Sequence, residues 1–520
     1  MRKVLVGFFI LLAAAASAAD YEIHEEYRQD VVDYESCPER FWRQIFSIKT
    51  DKSTVALLSH NYIQKTGEQM FTGFLNLYSP GKRLHFIVGN YNVGFGSGLF
   101  IGSRRYISDD PFAARPFPAF GNFLSPSGSA NPIYSFMGFA AELKSGGETS
   151  FNGGAFVSLR RRYIRRDYYD SKRVPSSMNS INSRAAPVGL YNTPALIRDT
   201  GVSVSFGIGK NFSAGLIGYC EDLKTMQNET IEWEYKSGNS WESGVTKCGG
   251  GALYLRYSDK YIFMFCESGV TLSQKRPGKD ESGTAISAGF RFRNPYSAFS
   301  LSALSAGRGF YAPEAADSPF PRNECAAALS LRALKYFEAG CSASYEKKEY
   351  PGRNESALSS TIREGVYILA AGKTFEVKAA YDEVGYNRPG GQSRMRKETA
   401  SVKQMFGKKF SLNLKSVFQN RDGGPFSYSA GIGAQYQPFA FFTIGADGSV
   451  YKIRGPGIYS TVMPAENALL SSVYVNKTSA SSVVKGVLKY NKMRFVCRYQ
   501  QFYGGGFERT RFECAGQAVF

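Results

Sequence analysis

The sequence predicts an all-β chain, a transmembrane up-and-down antiparallel β-barrel of about 22 strands (roughly 20–24), with short periplasmic turns and long extracellular loops. Three observations predict it: a secretory leader, alternating polarity along the rest of the chain, and turns whose lengths fall into two alternating sets.

The leader comes first. Met1-Arg2-Lys3 is a basic start, residues 4–16 are apolar but for Gly7, and Ala16-Ser17-Ala18-Ala19-Asp20 supplies the small residues that a signal peptidase needs. This three-part build is that of a cleaved signal peptide, residues 1–19, cut after Ala18 or Ala19. As an anchor the apolar run falls short of the roughly 20 residues that span a bilayer. Residues 20–52 then read as a short periplasmic segment, with a candidate helix around residues 38–45, and residues 53–520 as the barrel. No linker, heptad run or shift of composition divides that stretch, and no later apolar run has membrane-helix length. With 33 Tyr, 40 Phe and 54 Gly, the composition favours strands and tight turns over capped helices.

Alternation is legible residue by residue. In Lys409-Phe410-Ser411-Leu412-Asn413-Leu414-Lys415-Ser416-Val417-Phe418 the even positions are mostly apolar and the odd ones mostly polar. Phe375, Val377, Ala379 and Tyr381 alternate with Glu376, Lys378 and Ala380; Leu84, Phe86 and Val88 with Arg83, His85 and Ile87; Ile286, Ala288, Phe290 and Phe292 with Ser287, Gly289, Arg291 and Arg293. A period of two puts each set on its own face of a strand. In a soluble sandwich the apolar set would meet a core; in a barrel it meets lipid.

Turn lengths separate those two architectures. Short turns are read at Pro80-Gly81-Lys82, Gly146-Gly147, Gly209-Lys210-Asn211, Ser258-Asp259-Lys260, Asn294-Pro295, Ala333-Leu334, Gly372-Lys373, Gly407-Lys408, Gln437-Pro438 and Asn491-Lys492. Between them lie long polar loops at residues 92–132, 160–200, 221–249, 271–283, 307–323, 346–363 and 382–397. Short turns on one rim and long loops on the other is the outer-membrane barrel pattern, whereas a sandwich mixes loop lengths. The last segment sets Thr510, Phe512, Cys514, Gly516, Ala518 and Phe520 on one face. A chain ending on such an aromatic resembles the terminal strand signal read by the barrel-assembly machinery. The expected location is therefore the outer membrane.

So wide a barrel cannot fill its lumen with side chains from the wall alone. Too little chain precedes the barrel for a dedicated plug, so the candidate fillers are long loops, above all residues 92–132, with Phe112, Phe117, Phe120 and Phe123. That loop either folds inward or packs on the outer rim. Its start, Gly89-Asn90-Tyr91-Asn92-Val93-Gly94-Phe95-Gly96-Ser97-Gly98-Leu99, resembles the glycine-rich segment of a family of large outer-membrane barrels of Bacteroidetes-type bacteria, often found behind helix-hairpin-helix modules. Phe136-Met137-Gly138-Phe139-Ala140-Ala141 and Gly189-Leu190-Tyr191-Asn192-Thr193 are similar to its next landmarks, so the resemblance spans about residues 70–220. Ser97 stands where that family has Gln, and no helix-hairpin-helix pair precedes the barrel. The resemblance implies the fold and no site residues, and no nucleic-acid partner is expected.

Charge and cysteines supply the candidate sites. The formal net charge is +19, and part of it falls at strand positions expected to face the lumen: Arg256, Arg291, Arg293, Arg332, Arg494, Arg498, Arg509 and Arg511. Rings of cations favour anions; alternatively these arginines pair with inward Glu338, Glu376 and Glu513. Arg160, Arg161, Arg162, Arg165 and Arg166 interleave with Tyr163, Tyr168 and Tyr169, which suits lipopolysaccharide phosphates at a rim with interfacial tyrosines. The eight cysteines of a secreted chain invite pairing. Cys497 and Cys514 are equidistant from Gly504-Gly505-Gly506, Cys325 and Cys341 nearly so from Ala333-Leu334, and Cys220 and Cys248 flank one loop. Cys37 and Cys266 remain, as a long-range pair or free thiols, and no C-x-x-C spacing suggests a metal.

Catalysis has little support. His24, His60 and His85 are the only histidines, and no placed acid–base or nucleophile motif accompanies them. No cofactor is implied. The expected function is a channel for small solutes, anionic ones among them; the alternative is a surface, structural or adhesion protein acting through its loops.

Overall fold

The computed structural model describes residues 19–32, 39–50, 54–63, 68–102, 123–127, 135–165, 192–225, 245–275, 279–307, 309–310, 322–350, 357–388, 391–461, 472–475, 477–504 and 509–519. Residues 1–18 of the signal segment, Arg166, Cys37 and Phe520 lie outside them.

The strands run β1 (Ala19–Val32), β2 (Glu39–Thr50), β3 (Thr54–Ile63), β4 (Glu68–Tyr78), β5 (Leu84–Val93), β6 (Leu124–Pro126), β7 (Phe136–Ser145), β8 (Thr149–Arg165) and β9 (Asn192–Ile208). Next come β10 (Phe212–Thr225), β11 (Val245–Ser258), β12 (Ile262–Lys275), β13 (Lys279–Arg293), β14 (Ser297–Ala306), β15 (Arg322–Leu334), β16 (Phe337–Tyr350), β17 (Ala357–Ala371) and β18 (Phe375–Arg388). The series ends with β19 (Gly391–Phe406), β20 (Phe410–Arg421), β21 (Ser427–Phe439), β22 (Phe442–Lys452), β23 (Ile458–Thr461), β24 (Ser472–Val475), β25 (Ser479–Tyr490), β26 (Met493–Tyr503) and β27 (Arg509–Val519).

All but β23 and β24 belong to one 25-stranded antiparallel sheet. Neighbours in sequence pair with each other, except that β5 bonds to β7 past the three-residue β6 and β22 bonds to β25 past the separate β23–β24 hairpin. β1 bonds to β27, from Glu22↔Val519 to Val32↔Arg509, so the ladder returns on itself. With β6 set aside, 24 strands form the ring, at the upper end of the expected range and even, as up-and-down barrels require.

The additional strands are β1 and β2. Residues 20–52, expected as a periplasmic segment with a helix near residues 38–45, are instead wall. The reason is a period of two: the register sets Tyr21 opposite Ile48, Ile23 opposite Phe46 and Tyr27 opposite Trp42. Cross-strand aromatic and β-branched pairs are the units that stabilise a sheet.

The two faces fall as the alternation requires. Leu84, Val88, Ile286 and Leu414 are exposed on the outer surface, while His85 and Ile87 are buried inside. On β9 the outward residues nearest the short turn are apolar, with Val202, Val204, Phe206 and Ile208 all exposed, while Thr200 and Arg198 follow on the same face toward the long-loop end. Such an apolar band belongs in hydrocarbon.

Most short turns stand where the sequence places them, with two exceptions. β15 continues through Leu334 to close on Phe337, and β21 continues through Phe439 to close on Phe442, each after a register shift. The first of these hairpins turns at Lys335-Tyr336, two residues beyond Ala333-Leu334, and that overturns one cysteine pairing. Cys325 faces Tyr345, Cys341 faces Leu329, and both are exposed thiols. Cys220 and Cys248 are not bonded either: Cys220 faces Gly249 and Cys248 faces Glu221, so the register sets them one residue apart on opposite faces. Cys497 and Cys514 are directly opposed, with Cα atoms 4.4 Å apart, and form a disulfide.

Local chemistry fixes the turns. In the β11–β12 hairpin the Asp259 carboxylate accepts hydrogen bonds from the backbone N–H of Tyr261 (2.7 Å) and of Ile262 (2.6 Å). These donors, Ile262 first, hold the Asp259 carboxyl below the usual aspartate range. A carboxyl with a depressed folded pKa stabilises the fold above its unfolded pKa and loses that contribution as pH falls through the folded value.

Two outcomes follow for the refolded protein. Non-reduced digests should yield a Cys497–Cys514 linked peptide, while Cys220, Cys325 and Cys341 are fully alkylated in the denatured, non-reduced chain. Removing the bridge should cost about 2 kcal/mol or less, since it closes a short loop. Asp259→Ala should lower the urea midpoint at neutral pH, with the difference from wild type shrinking away as pH falls through the depressed folded pKa of Asp259; a pH-independent difference would rule out the carboxylate as the cause.

Candidate functional site

The wall turns inward at Val93. Gly94 N–H donates to Phe123 O (3.0 Å), Phe95 N–H to Ile101 O (3.1 Å) and Gly98 N–H to Phe95 O (3.0 Å), folding residues 94–101 into a compact loop. Its apolar side chains Phe95, Leu99, Phe100 and Ile101 are buried with Phe123 and Leu124 against the inner wall, among Phe136, Phe156, Ile217, Tyr219 and Ala252. Of the two placements open to this loop, its described residues take the inward one. Phe310, from the loop after β14, joins the same cluster.

Aromatic geometry orders the packing. The Phe95 ring meets Tyr254 edge-on at 4.9 Å, Phe100 meets Tyr219 at 5.9 Å, and Phe136 meets Phe156 at 5.3 Å. Full burial of each phenylalanine is worth roughly 1.5–3 kcal/mol. Gly154 makes room for the Phe123 ring: a Cβ there would lie 2.2 Å from a ring carbon.

One carboxylate latches the loop to the wall. Glu267 of β12, fully buried, accepts through one carboxyl oxygen from the Ser97 hydroxyl (2.6 Å) and from the Ser97 backbone N–H (2.5 Å). These two donors converge on it and tie the loop to the wall from within the chain. Gly96 is left-handed (φ +53°), and a Cβ there would meet the Glu267 carboxylate at 2.5 Å. Glycine is therefore required at this position on two grounds.

Further polar networks line the same wall. His85 contacts Asn76 Oδ1 through Nε2 (2.5 Å) and Glu142 through Nδ1 (3.2 Å), and stacks on Tyr78 at 4.3 Å. Glu142 also receives Asn152 (2.7 Å) and Lys144 (2.9 Å). The Tyr219 hydroxyl lies between Asp199 (2.9 Å) and Glu221 (2.5 Å). Beside the latched loop, near the short-turn mouth, is a cavity of about 580 Å³ lined by Phe95, Asn152, Ser205, Ser213, Tyr254 and Arg256. The buried Ser213 Oγ and Asn152 Oδ1 have no hydrogen-bond partner among the described residues.

The arginines expected to face the lumen do not gather into one ring. Arg256 lies at the cavity, and Arg291 sits over the inward Phe263 ring at 5.4 Å. Arg293 is exposed at the end of β13. Arg332 bridges Glu338 (3.1 Å), and Arg498 bridges Glu513 (3.3 Å) while donating to Gln500 (2.5 Å). Those two satisfy the pairing alternative. Glu376 lies opposite Lys403 in the register, and Arg494 opposite Lys489 and Gln517. Arg509 and Arg511 are β27 positions opposite Phe502 and Gln500. Arg160, Arg161, Arg162 and Arg165 lie in the extension of β8, opposite Ile197, Leu196, Ala195 and Asn192.

The sequence reading passed over the lysines. Lys378, Lys397, Lys403, Lys415 and Lys485 all fall on the inner face by register, with Lys378 over the Tyr367 ring at 5.7 Å. They alternate with apolar or small residues just as the arginines do, so the same period-two signal marks them. The large apolar cluster draws its wall residues from β4–β14 and includes none from β15–β27, so among the described residues the inward loop covers one side of the inner surface and these lysines stand on the other.

No family profile and no curated protein matches the sequence. Solved structures match the fold. A mutant of the ferric enterobactin receptor PfeA of Pseudomonas aeruginosa is 9% identical, with 97% of this chain and 81% of that chain covered and a TM-score of 0.50. A mutant of the same receptor in complex with enterobactin gives 8% identity, 97% and 82% coverage and a TM-score of 0.50. The P pilus usher translocation pore PapC is 8% identical over 96% of this chain and 99% of that chain, with a TM-score of 0.42. What this chain shares with the two PfeA structures is the large antiparallel barrel fold.

Glu267→Ala should leave the Ser97 backbone N–H and hydroxyl unsatisfied inside the wall. The expected loss is about 1–3 kcal/mol of stability for leaving buried donors without an acceptor, with new chymotrypsin cleavage at Phe95 or Phe100. Glu267→Gln should fall in between. Unchanged protection of the loop in the alanine variant would rule out the latch.

Proposed function

We propose that the protein is an outer-membrane barrel that passes small solutes, with a preference for anions, along the charged sector of its lumen. One observation carries this reading: on the inner face of β17–β27 cations outnumber carboxylates, Lys378, Lys397, Lys403, Lys415, Lys485, Arg494 and Arg498 standing against Glu376, Asp382, Asp447 and Glu513. A one-signed, low-dielectric channel concentrates counter-ions even where individual cations are paired. Arg256, at the cavity beside the latched loop, extends the same sign into the apolar sector.

The rest of the proposal concerns delivery. The leader directs secretion, the last strand engages the assembly machinery, and Arg160–Arg166 meet lipopolysaccharide at the long-loop rim. The segment that resembles the Bacteroidetes-type barrels, about residues 70–220, includes the latched loop, and kinship with them is part of this proposal. A second reading has its own support: the apolar cluster over β4–β14 occupies one sector, and a lumen sealed beyond it would leave a scaffold acting through its loops.

Planar-bilayer recordings distinguish the two. The purified protein should migrate heat-modifiably, conduct, and show a reversal potential favouring anions in a salt gradient. Arg256→Glu combined with Arg291→Glu should shift that potential toward cations without impairing insertion, because both side chains lie inside. Conductance with unchanged ion preference would refute the anion pathway; an inserted but silent protein would favour the scaffold.

A further inference from the structure

The short-turn rim carries a charge pattern that neither the latch nor the lumen uses. Turn after turn has an exposed lysine at its tip: Lys82 between β4 and β5, Lys210 between β9 and β10, Lys260 between β11 and β12, Lys335 between β15 and β16, Lys373 between β17 and β18, and Lys408 between β19 and β20. Beside them stand exposed aromatics of the same rim, among them Tyr261, Tyr296, Tyr336, Phe375, Phe406 and Tyr490. Two lysines sit over these rings, Lys260 Nζ at 5.0 Å from the Tyr261 centre and Lys335 Nζ at 5.3 Å from that of Tyr336. The carboxylates nearby are engaged: Asp259 by its own turn and Glu338 by Arg332. Glu148 and Glu376 are the exposed exceptions.

We infer that this rim is a collar for the anionic headgroups of phospholipids at the short-turn end of the barrel. The inference rests on the membrane reading above and adds to it a lipid class. Exposed Tyr and Phe at strand ends settle at the headgroup level. The lysines that stack on them are thereby held on the outside of the rim, level with phosphodiester oxygens, and not over the lumen. An ammonium is a compact charge on a flexible stem, suited to following mobile headgroups. Attraction of this kind reads net charge and not headgroup shape, so the collar selects anionic over zwitterionic lipid without choosing a species.

The test uses the full chain refolded into phosphatidylcholine vesicles containing trace spin-labelled phosphatidylglycerol or phosphatidylcholine. Heat-modifiable migration first establishes insertion; a wild type that never inserts overturns the barrel reading and the collar with it. In inserted protein, phosphatidylglycerol should be enriched roughly threefold over phosphatidylcholine in the motionally restricted shell. That enrichment should fall to parity near about 1 M salt, where the screening length drops to roughly 3 Å. Replacing Lys210, Lys260, Lys335, Lys373 and Lys408 by Gln should abolish it, and Lys260→Gln with Lys335→Gln, which leaves every turn backbone intact, should reduce it in part. Equal association of the two lipids with wild type overturns the collar, as does enrichment unchanged in both variants. Loss of enrichment on adding millimolar inorganic phosphate at constant ionic strength would reassign the lysines to a soluble anion and overturn the lipid assignment.

Discussion

Everything in this structure depends on the ladder between β1 and β27. A strand edge in hydrocarbon would present a row of N–H and C=O groups with no water to receive them, at several kcal/mol each. The ring removes that edge by giving the last strand the first as partner, through eleven register pairs from Glu22↔Val519 to Val32↔Arg509. Closure then dictates the rest. Side chains must alternate between two solvents, the strand number must be even, and the lumen becomes too wide for wall side chains to fill.

The inward loop answers the last of these consequences. Backbone that leaves the sheet has to satisfy its own polar groups, and residues 94–101 do so by bonding to one another and to Phe123. The Ser97 N–H and hydroxyl point into the wall, and Glu267 meets both. The carboxylate in turn is sustained in a buried position only because the loop surrounds it with donors. Loop and wall thus stabilise each other, and neither arrangement is comfortable alone.

Much of the fold was legible because period-two alternation is a local property. Leu84–Val88 and Ile286–Phe292 declare their faces in half a dozen residues, and a polar turn tip such as Gly209-Lys210-Asn211 needs no distant partner to be recognised. Register is less local. The β15–β16 hairpin turns at Lys335-Tyr336, beyond the polar-turn signal at Ala333-Leu334, and so puts Cys325 opposite Tyr345, whereas the β26–β27 ladder, centred on its glycine tip, sets Cys497 opposite Cys514. Residues 20–52 misled for a related reason: Tyr21, Ile23 and Tyr27 are interspersed with charges, and only pairing with Phe46, Ile48 and Trp42 reveals a wall. At the site, the glycine-rich segment and its apolar loop stood out in sequence. Glu267 did not, because its meaning comes from residues 170 positions away.

Phe123 and Gly154 carry a consequence of another kind. The ring occupies the space that a side chain on β8 would fill, so the loop is keyed to the wall at one point. A key and its socket change together or not at all. Among descendants of this chain, a larger residue at position 154 is tolerable only beside a smaller one at 123, while substitutions elsewhere on the loop are free to drift. The two positions would then vary as a couple, and that coupling would mark the inward loop in related sequences whose overall similarity has faded.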